Sequence, residues 1–247
     1  KGVFYYLKER LGMERMRFAF SGAAPISPDI LRFFNAIGLP LFEGYGMTEA
    51  SPVVSTNPLD GTGRLGTIGV PIPSTDVRIV DEAGAIQGPG GVGEIQVKGP
   101  QVMKGYYNRP DATTETIIDG WLCTGDIGTM SEDGFFRIVD RKKDMILVSG
   151  FNVFPNEVED VIAGHPKVME VAAIGVPHDK SGEVVKVFVV KKDKSLDQSE
   201  LIEFCRENLT GYKVPKIVEF RKDLPKTNIG KILRKELRKE EEAKSAE

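Results

Sequence analysis

The 247-residue sequence predicts an α/β fold that continues into a smaller α+β domain. Three observations support this prediction. Helix and strand patterns alternate over residues 1–75, short strands separated by turns follow over residues 76–140, and a new mixed pattern fills residues 141–247. We therefore expect one domain over residues 1–140 and another over residues 141–247.

The first part has the pattern helix, strand, helix, strand. Apolar residues at helical spacing predict a helix over residues 3–11, and residues 17–20 form a short strand. Ser27 and Pro28 then suit the start of a second helix, because a serine hydroxyl caps a free backbone N–H and proline fits the first helical position. Residues 39–42 follow as a buried strand. This alternation is typical of a parallel α/β layer.

The later parts contain shorter elements. Turns rich in Gly and Asp separate the middle strands, and a charged run at residues 140–144 precedes the last domain. We predict strands over residues 77–80, 93–98, 121–127, 135–139, 168–176, 184–191 and 214–220, and helices over residues 111–118, 155–162, 199–209 and 232–244.

The composition excludes several classes of protein. The net charge of −3 gives no overall basic field, so we expect no nucleic-acid partner. Cys123 and Cys205, without a CxxC pair, exclude a disulfide scaffold and favour a reducing compartment. No apolar run approaches the ~20 residues of a membrane-spanning helix. The chain begins at Lys1 rather than at a methionine, so we expect a piece of a longer protein.

The segment GYGMTE, residues 44–49, is the first candidate ligand loop. It follows a predicted buried strand, where α/β proteins place their ligand loops. Tyr45 could stack on a flat base, and the hydroxyl of Thr48 with the carboxylate of Glu49 could serve Mg²⁺ bound to phosphates. Gly46 would let the backbone approach a ligand closely. Alone, the segment is equally consistent with an ordinary glycine turn.

Three further segments carry candidate groups. Asp126, after the small residues of WLCTGD, could accept hydrogen bonds from a ribose diol, although a turn aspartate is the simpler interpretation of this segment alone. Arg141 could donate to sugar or phosphate oxygens, and the alternative is a solvated linker between domains. Lys231, just after Gly230, could stabilise developing negative charge, and the alternative is a surface lysine at a helix start.

Dinucleotide-binding, phosphate-loop, metal and catalytic-triad sites have little support in the sequence. The spelling GPGGVG at residues 88–93 leads into a strand rather than a helix, and no GxxxxGK[ST] phosphate loop occurs. His165 and His178 lie beside prolines with no cysteine nearby, so we predict neither a metal cluster nor a Ser-His-Asp triad.

Taken together and in this order, the four segments resemble the adenylate-forming superfamily of acyl-CoA synthetases. The resemblance extends over essentially the whole chain. The segment DGWLCTGDIGTMSEDGFFRIVDRKK, residues 119–143, is similar to the signature of fatty acyl-CoA synthetases. DMILVSGFNVFPNEVED, residues 144–160, and TGYKVPK, residues 210–216, resemble bacterial long-chain fatty-acid–CoA ligases.

The resemblance implies roles for single residues. Tyr45 would stack on adenine, Thr48 and Glu49 would bind phosphate and Mg²⁺, and Lys231 would contact the carboxylate and the α-phosphate. Gly22, Ala23 and Gly46 would contact the nucleotide, and Asp126 and Arg141 would bind the ribose hydroxyls. Residues 141–144 would form a hinge with Lys143 as its pivot. Ser149 and Gly150 would border the path of coenzyme A.

The resemblance also implies the reaction and its setting. ATP would activate a long-chain fatty acid as acyl-AMP, and coenzyme A would then displace AMP while the mobile last domain turns on its hinge. The substrates would be fatty acid, ATP and coenzyme A, with Mg²⁺, in the cytoplasm and with peripheral attachment to the inner membrane face. The family's phosphate loop is not present in these residues, so we expect little activity from the chain alone.

Three alternatives remain open at this point. The acid could be aromatic or of medium length, because the acyl tunnel that selects it is not in this sequence. A peptide-synthetase adenylation domain would pass its acyl group to a carrier domain. A non-catalytic nucleotide-binding module is the alternative outside enzymes. The sequence does not determine the oligomeric state.

Overall fold

The computed structural model describes residues 2–22, 26–227, 230 and 232–245. The chain forms two compact units, Lys1–Ile138 and Val139–Glu247. In the described residues the strands form three sheets of four, six and five strands, with helices between and beside them. This architecture confirms the predicted α/β and α+β fold class.

The first unit begins with alternating helices and strands. Ser27 accepts a hydrogen bond from the backbone N–H of Asp29 at 3.3 Å, so the predicted cap is present. The elements are α1 (Gly2–Arg10), β1 (Ala19–Ser21), α2 (Pro28–Ala36), β2 (Leu41–Gly46), β3 (Val53–Thr56) and β4 (Val70–Pro71). Strands β1 and β2 are parallel, whereas β3 and β4 continue the sheet in antiparallel fashion.

The rest of the first unit is a β-rich layer. Its elements are β5 (Asp76–Val80), β6 (Ile86–Gln87), β7 (Val92–Lys98), α3 (Pro110–Thr116), β8 (Ile117–Ile118), β9 (Trp121–Met130) and β10 (Phe136–Arg141). Strand β10 begins in the first unit and ends in the second, which starts at Val139. The strand order is β10-β9-β7-β5-β6, with β8 paired to β9. The core beneath it consists of Ala50, Val54, Ile79, Ile95, Val97, Leu122 and Phe136.

Two strands extend three or more residues beyond their predicted ends. We predicted that β2 ends at residue 42 and β9 at residue 127, but they continue to Gly46 and Met130. The reason is a shift of register in each strand, between Tyr45 and Gly46 in β2 and opposite Glu94 in β9. A bulge lets a strand pass a turn-like segment and resume its pairing.

The second unit is an α+β layer around one sheet. Its elements are β11 (Ile146–Val148), β12 (Phe151–Val153), α4 (Pro155–Ala163), β13 (Val168–His178), β14 (Gly182–Lys191), α5 (Gln198–Asn208), β15 (Ile217–Arg221) and α6 (Arg234–Ser245). The order is β12-β11-β14-β13, with β15 parallel to β14. The side chain of Asp197 caps α5 through the N–H of Glu200 at 2.9 Å.

Helices cover both faces of this sheet. Successive side chains of a strand point to opposite faces. Accordingly, Val187 joins the cluster that contains α4 and α5, whereas its neighbour Phe188 joins the cluster that contains Leu237 of α6. Burying each such side chain stabilises the unit by about 1.5–3 kcal/mol before entropy is counted. No helix in the described part of the chain has the length and apolar character needed to cross a membrane.

Candidate active site

Tyr45 lies near the end of β2, where the register between β2 and β3 shifts. Tyr45 pairs with Ser55 and the next residue, Gly46, pairs with Val53, so one residue of β3 is skipped. A Cβ atom at position 46 would overlap the carbonyl of Pro52, so only glycine fits there. Gly46, which we predicted to approach a ligand, is therefore required at this position by the close backbone of Pro52.

Asp126 lies in a bulge in the middle of β9. Glu94 of β7 pairs with Ile127 and Gln96 pairs with Cys123, so the three residues 124–126 stand opposite a single residue of β7. Gly125, at the centre of the bulge, has a φ of 71°, which glycine adopts without strain. The bulge turns the Asp126 side chain to a new direction while the strand continues.

Two side chains hold this bulge in place. The buried Glu94 accepts a hydrogen bond from the N–H of Gly125 at 2.9 Å. Thr124 donates to the carbonyl of Ile95 at 2.7 Å and accepts from the N–H of Asp126 at 3.1 Å. Backbone groups displaced from the ladder thus find partners, and Asp126 is presented from a fixed segment.

The fold brings Tyr45 and Asp126 together although 81 residues separate them in sequence. The Tyr45 hydroxyl donates to Oδ2 of Asp126 at 2.6 Å, which is short for a neutral donor and typical of a charged acceptor. The ring of Tyr45 is half-buried and packs on the core of the β-rich layer. A flat aromatic face and a carboxylate are therefore held at one place in the first unit.

Thr48 and Glu49 lie on a short 3-10 helix, Thr48–Ala50, just after β2. Thr48 is exposed and Glu49 is half-buried. Tyr106 donates from its hydroxyl to Oε1 of Glu49 at 2.8 Å, and this hydrogen bond to a carboxylate raises the pKa of Tyr106. The carbonyl of Glu49 also accepts from the N–H of Met103 at 2.8 Å, so the carboxylate stands on an anchored turn.

The chemistry of this pair fits Mg²⁺ that arrives with phosphates. Hydroxyl and carboxylate oxygens are ligands that Mg²⁺ prefers, and it commonly uses one carboxylate with waters and substrate phosphates. Among the described residues, no group of three or more His, Cys, Asp or Glu side chains could hold a metal alone. The single carboxylate of Glu49 is compatible with a cation that arrives with its phosphates.

Gly22 lies directly after β1, beside the segment that carries Tyr45. In the parallel pairing Ser21 stands opposite Glu43, and a Cβ added to Gly22 would lie 3.6 Å from the carbonyl of Gly44. Gly22 is exposed. Its predicted partner in nucleotide contact, Ala23, lies outside the described residues.

The charged run at the start of the second unit is only partly solvated. Arg141 and Lys143 are exposed, as a linker predicts. Asp140 and Asp144, however, are 1% and 9% exposed. The alternative of a fully solvated linker is therefore wrong for these two residues, because distant cations and backbone N–H groups bind their carboxylates.

Ser149 and Gly150 form the two-residue turn between β11 and β12. Val148 pairs with Phe151, and the φ angles of the two turn residues are 51° and 85°. Positive φ at both positions is typical of a type I′ hairpin turn. The turn is exposed, and the half-exposed ring of Phe151 beside it stacks on Tyr212 at 4.8 Å between ring centroids.

Lys231 lies outside the described residues, but the base of its loop is described. Lys226 and Ile232 form an isolated antiparallel bridge, and the N–H of Leu233 donates to the carbonyl of Pro225 at 2.8 Å. Nζ of Lys226 also contacts Glu170 at 2.5 Å. The described residues on the two sides of this loop are therefore paired with each other.

Sequence reasoning missed Glu94, Thr124 and Tyr106. A glutamate in the middle of a strand that is otherwise buried, as in VGEIQVK, is the signal that could have indicated Glu94, because a buried carboxylate needs donors. For Thr124 we predicted no role beyond that of a small residue in a turn. Nothing in the sequence near Tyr106 indicates that it meets Glu49, 57 residues away.

Comparisons with known proteins agree with this arrangement. Residues 4–107 match the family of AMP-binding enzymes, and residues 157–231 match the AMP-binding enzyme C-terminal domain. The chain is 59% identical to a long-chain-fatty-acid–CoA ligase of Yersinia pestis over 232 residues, which are 94% of this chain and 41% of that protein. It is 56% identical to the same enzyme of Escherichia coli O6:H1 over 237 residues, 96% of this chain and 42% of that protein.

A solved structure shares the fold. ATP-bound MatB from Rhodopseudomonas palustris matches with a TM-score of 0.85 and 38% identity, over 92% of this chain and 46% of that one. The chain spans about two fifths of the length of the curated relatives it matches. On these grounds the chain belongs to the AMP-binding enzyme family of adenylate-forming acyl-CoA synthetases.

Proposed function

We propose that the protein containing this chain is an AMP-forming long-chain fatty-acid–CoA ligase. It joins a fatty acid to ATP as acyl-AMP with release of pyrophosphate, and then transfers the acyl group to coenzyme A. The observation that carries the proposal is the hydrogen bond between Tyr45 and Asp126, which joins two groups suited to adenine and ribose. The identity of 56–59% to ligases of that name supports the choice of acid.

In this proposal the first unit binds the nucleotide. Tyr45 offers its ring to adenine, and Asp126 accepts hydrogen bonds from the ribose hydroxyls, with Arg141 as a second ribose contact. The tyrosine hydroxyl fixes the carboxylate before the ligand arrives, which reduces the entropy lost on binding. Gly22, Ala23 and Gly46 provide backbone next to the adenine.

The first half-reaction is attack of a fatty-acid carboxylate oxygen on the α-phosphorus of ATP. A P–O bond to the acid forms as the bond to pyrophosphate breaks. Thr48 and Glu49 orient the phosphates, and Lys231 places a positive charge beside the carboxylate and the α-phosphate. Mg²⁺, when bound through Glu49, neutralises phosphate charge.

The second half-reaction needs no nucleophile from the protein. The thiol of coenzyme A gives its proton to solvent and attacks the acyl carbon, and AMP leaves with the electrons of the acyl–oxygen bond. Ser149 and Gly150 border the path of the thiol arm in this proposal. Their exposed type I′ turn offers backbone without bulky side chains. In this proposal, rotation at Lys143 brings Lys231 to the reacting atoms for the first half-reaction and the turn of Ser149 and Gly150 for the second.

The proposed partners are the small substrates, and the proposed location is the cytoplasm. A fatty acid partitions into membranes, so peripheral attachment at the inner face would shorten its path to the enzyme. We therefore include peripheral attachment in the proposed location, because the proposed substrate is a fatty acid.

A chimera with the Escherichia coli relative tests the function directly. This chain would replace the matching region of that ligase, which the 56% identity over 237 residues makes compatible. We expect acyl-CoA formation that requires oleate, ATP and coenzyme A together. Lys231→Ala should lower the rate about 10²-fold or more, because it removes a cation from the transition state.

The matched control is Lys222→Ala, at an exposed lysine that precedes the same loop. It should leave the rate unchanged. A folded chimera without ligase activity would contradict the proposed function.

A further inference from the structure

Arg234, the first residue of α6, lies at the centre of a buried polar cluster in the second unit. Its side chain is 16% exposed. Nε contacts Oε1 of Glu159 at 2.8 Å and Nη2 contacts Oε2 at 2.5 Å, so the guanidinium grips both oxygens of one carboxylate. Nη2 also donates to Oδ1 of Asn156 at 2.5 Å. Both partners lie on α4.

The same guanidinium reaches the two ends of the charged run. Nη1 lies 3.4 Å from Oδ1 of Asp140 and 3.5 Å from Oδ2 of Asp144. These distances indicate charge attraction more than strong hydrogen bonds. Arg238, one turn further along α6, binds Oδ1 of Asp144 at 2.6 Å. We call Asp140, Asp144, Asn156, Glu159 and Arg234 the Arg234 cluster.

Backbone contacts complete the hold on Asp140. Its Oδ2 accepts from the N–H of Asn156 at 2.8 Å, and its Oδ1 accepts from the N–H of Arg141 at 2.7 Å. The side-chain amide of Asn156 donates to the carbonyl of Val139 at 2.9 Å. The chain is thus fastened to α4 just before the exposed residues 141–143 begin.

The charges of the cluster depend on one another. Burial raises the pKa values of Asp140 and Glu159, which shows that each carboxylate loses solvation in this place. The positive charge of Arg234 opposes that loss for both. Removing one charged member of such a cluster is destabilising, because the remaining charges stay buried without an opposite charge beside them.

The geometry restricts how the backbone can turn at Lys143. Asp140 precedes this residue, whereas Asp144, Asn156, Glu159 and Arg234 all follow it. A rotation at Lys143 therefore moves Asp140 away from every other member of the cluster. The contacts of Asp140 with Arg234 and Asn156 oppose that rotation.

We propose that Arg234 is a positioning residue that fixes the backbone on both sides of Lys143, so that the chain turns there only after Arg234 has released Asp140. The inference deepens the proposed function and rests on it for the role of Lys143 as a pivot. Arg234 also lies two residues after Ile232, which pairs with Lys226.

Limited trypsin digestion of the intact chain, combined with amide hydrogen exchange, tests this inference. Arg141, Lys142 and Lys143 are exposed cleavage sites that a protease can use only when the segment opens. Arg234→Gln should raise the cleavage rate after these residues at least about tenfold, because it removes a charged contact that opposes opening. Exchange should rise at residues 139–145 and stay unchanged in β14.

The matched control is Arg221→Gln, which removes a guanidinium that ties α6 to β15 through Glu240 at 2.7 Å but touches neither aspartate. It should leave cleavage at residues 141–143 within about twofold of the unaltered chain. If Arg234→Gln does not fold, Asp140→Asn decides the question, because the amide keeps the shape and weakens the contact. That variant should also open the segment selectively.

Equal cleavage of all folded variants would overturn the inference. A uniform rise of amide exchange across the second unit would also overturn it, because a merely structural role of Arg234 predicts that its loss destabilises the whole unit. The digestion uses neither substrate nor turnover. An inactive chimera together with selective opening would therefore refute the proposed function and leave the positioning role of Arg234 standing.

Discussion

Asp126 is positioned by its neighbours rather than by the regular geometry of β9. The bulge at residues 124–126, the buried Glu94 beneath Gly125 and the hydroxyl of Tyr45 together set its direction. The sequence predicted Asp126 and Tyr45 as separate candidates, because each lies in a recognisable segment. It could not predict that they touch, since contact across 81 residues depends on how the sheets pack.

Glu219 on β15 is a residue whose charge should contribute measurably to stability. Burial by itself would raise its pKa, but hydrogen bonds from Lys186 and Arg221 and the charge of Lys186 outweigh burial and lower the pKa to about 2. A carboxyl whose pKa falls on folding stabilises the protein at pH values above its unfolded pKa of about 4.5. This contribution is lost as the pH falls through about 2.

We therefore predict that Glu219→Gln lowers the free energy of unfolding by about 1–2 kcal/mol at pH 7, after a discount for solvent screening. The difference from the unaltered chain should shrink as the pH is lowered from about 4.5 toward 2. Urea unfolding at several pH values measures it. Glu203→Gln, at an exposed position of α5, is the control and should show no such trend. A difference that grows toward acid pH would refute the assignment.

At the scale of elements, helices were predicted better than strands because their ends carry local signals. Ser27 and Pro28 mark the start of α2, and α5 begins within one residue of its predicted position after the cap Asp197. Such signals depend on side chains two or three residues apart. They are therefore visible in a single sequence.

Strand limits were less accurate for a physical reason. The bulge in β9 inserts the turn-like residue Gly125 into a continuous strand, and β2 continues through Gly46 across a shift of register with β3. The hairpin of β11 and β12 was missed because its turn, Ser149–Gly150, lies in a short apolar stretch without alternation. Pairing with a distant strand, rather than local preference, determines where these elements end.

The burial of Asp140 and Asp144 is a further case in which distance in sequence hides the cause. A charged run is usually solvated. Here the partners Arg234 and Arg238 lie 90 or more residues away, and only the fold of the second unit brings them near.

The packing of α6 on the sheet gives a second prediction. Leu237 is fully buried with Phe188 and Leu224. Leu237→Ala should lower the free energy of unfolding by about 2–5 kcal/mol, because it removes apolar contacts and leaves a cavity. Urea denaturation measures the change.

Lys235→Ala is the matched control on the same helix. Lys235 is exposed, and alanine favours helix, so its effect should stay within about 0.5 kcal/mol. A loss below about 1 kcal/mol for Leu237→Ala would mean that α6 is not packed as described.

At the scale of the whole molecule, the second unit has its own sheet and its own apolar clusters. Both of its apolar clusters draw their members from residues 146–237. The sheet and the helices on its two faces also lie within Val139–Glu247. Its stability should therefore not depend on the first unit.

We predict that residues 139–247, produced alone, fold cooperatively. The piece should give dispersed NMR amide signals and one unfolding transition with heat or urea. The thiol of Cys205, whose pKa burial raises to about 11, should resist thiol reagents until that transition. A piece that binds hydrophobic dyes and lacks a cooperative transition would contradict the prediction.

The most direct test of the account is calorimetric titration of the chain with a non-hydrolysable fatty acyl-adenylate mimic. Tyr45 and Asp126 form the proposed adenosine site, so the chain should bind the mimic, and Asp126→Asn should weaken binding about tenfold or more through its contacts with the ribose. Asp29→Asn, at a side chain that is 88% exposed, should bind like the unaltered chain. Absence of binding, or equal binding by Asp126→Asn, would contradict the central claim.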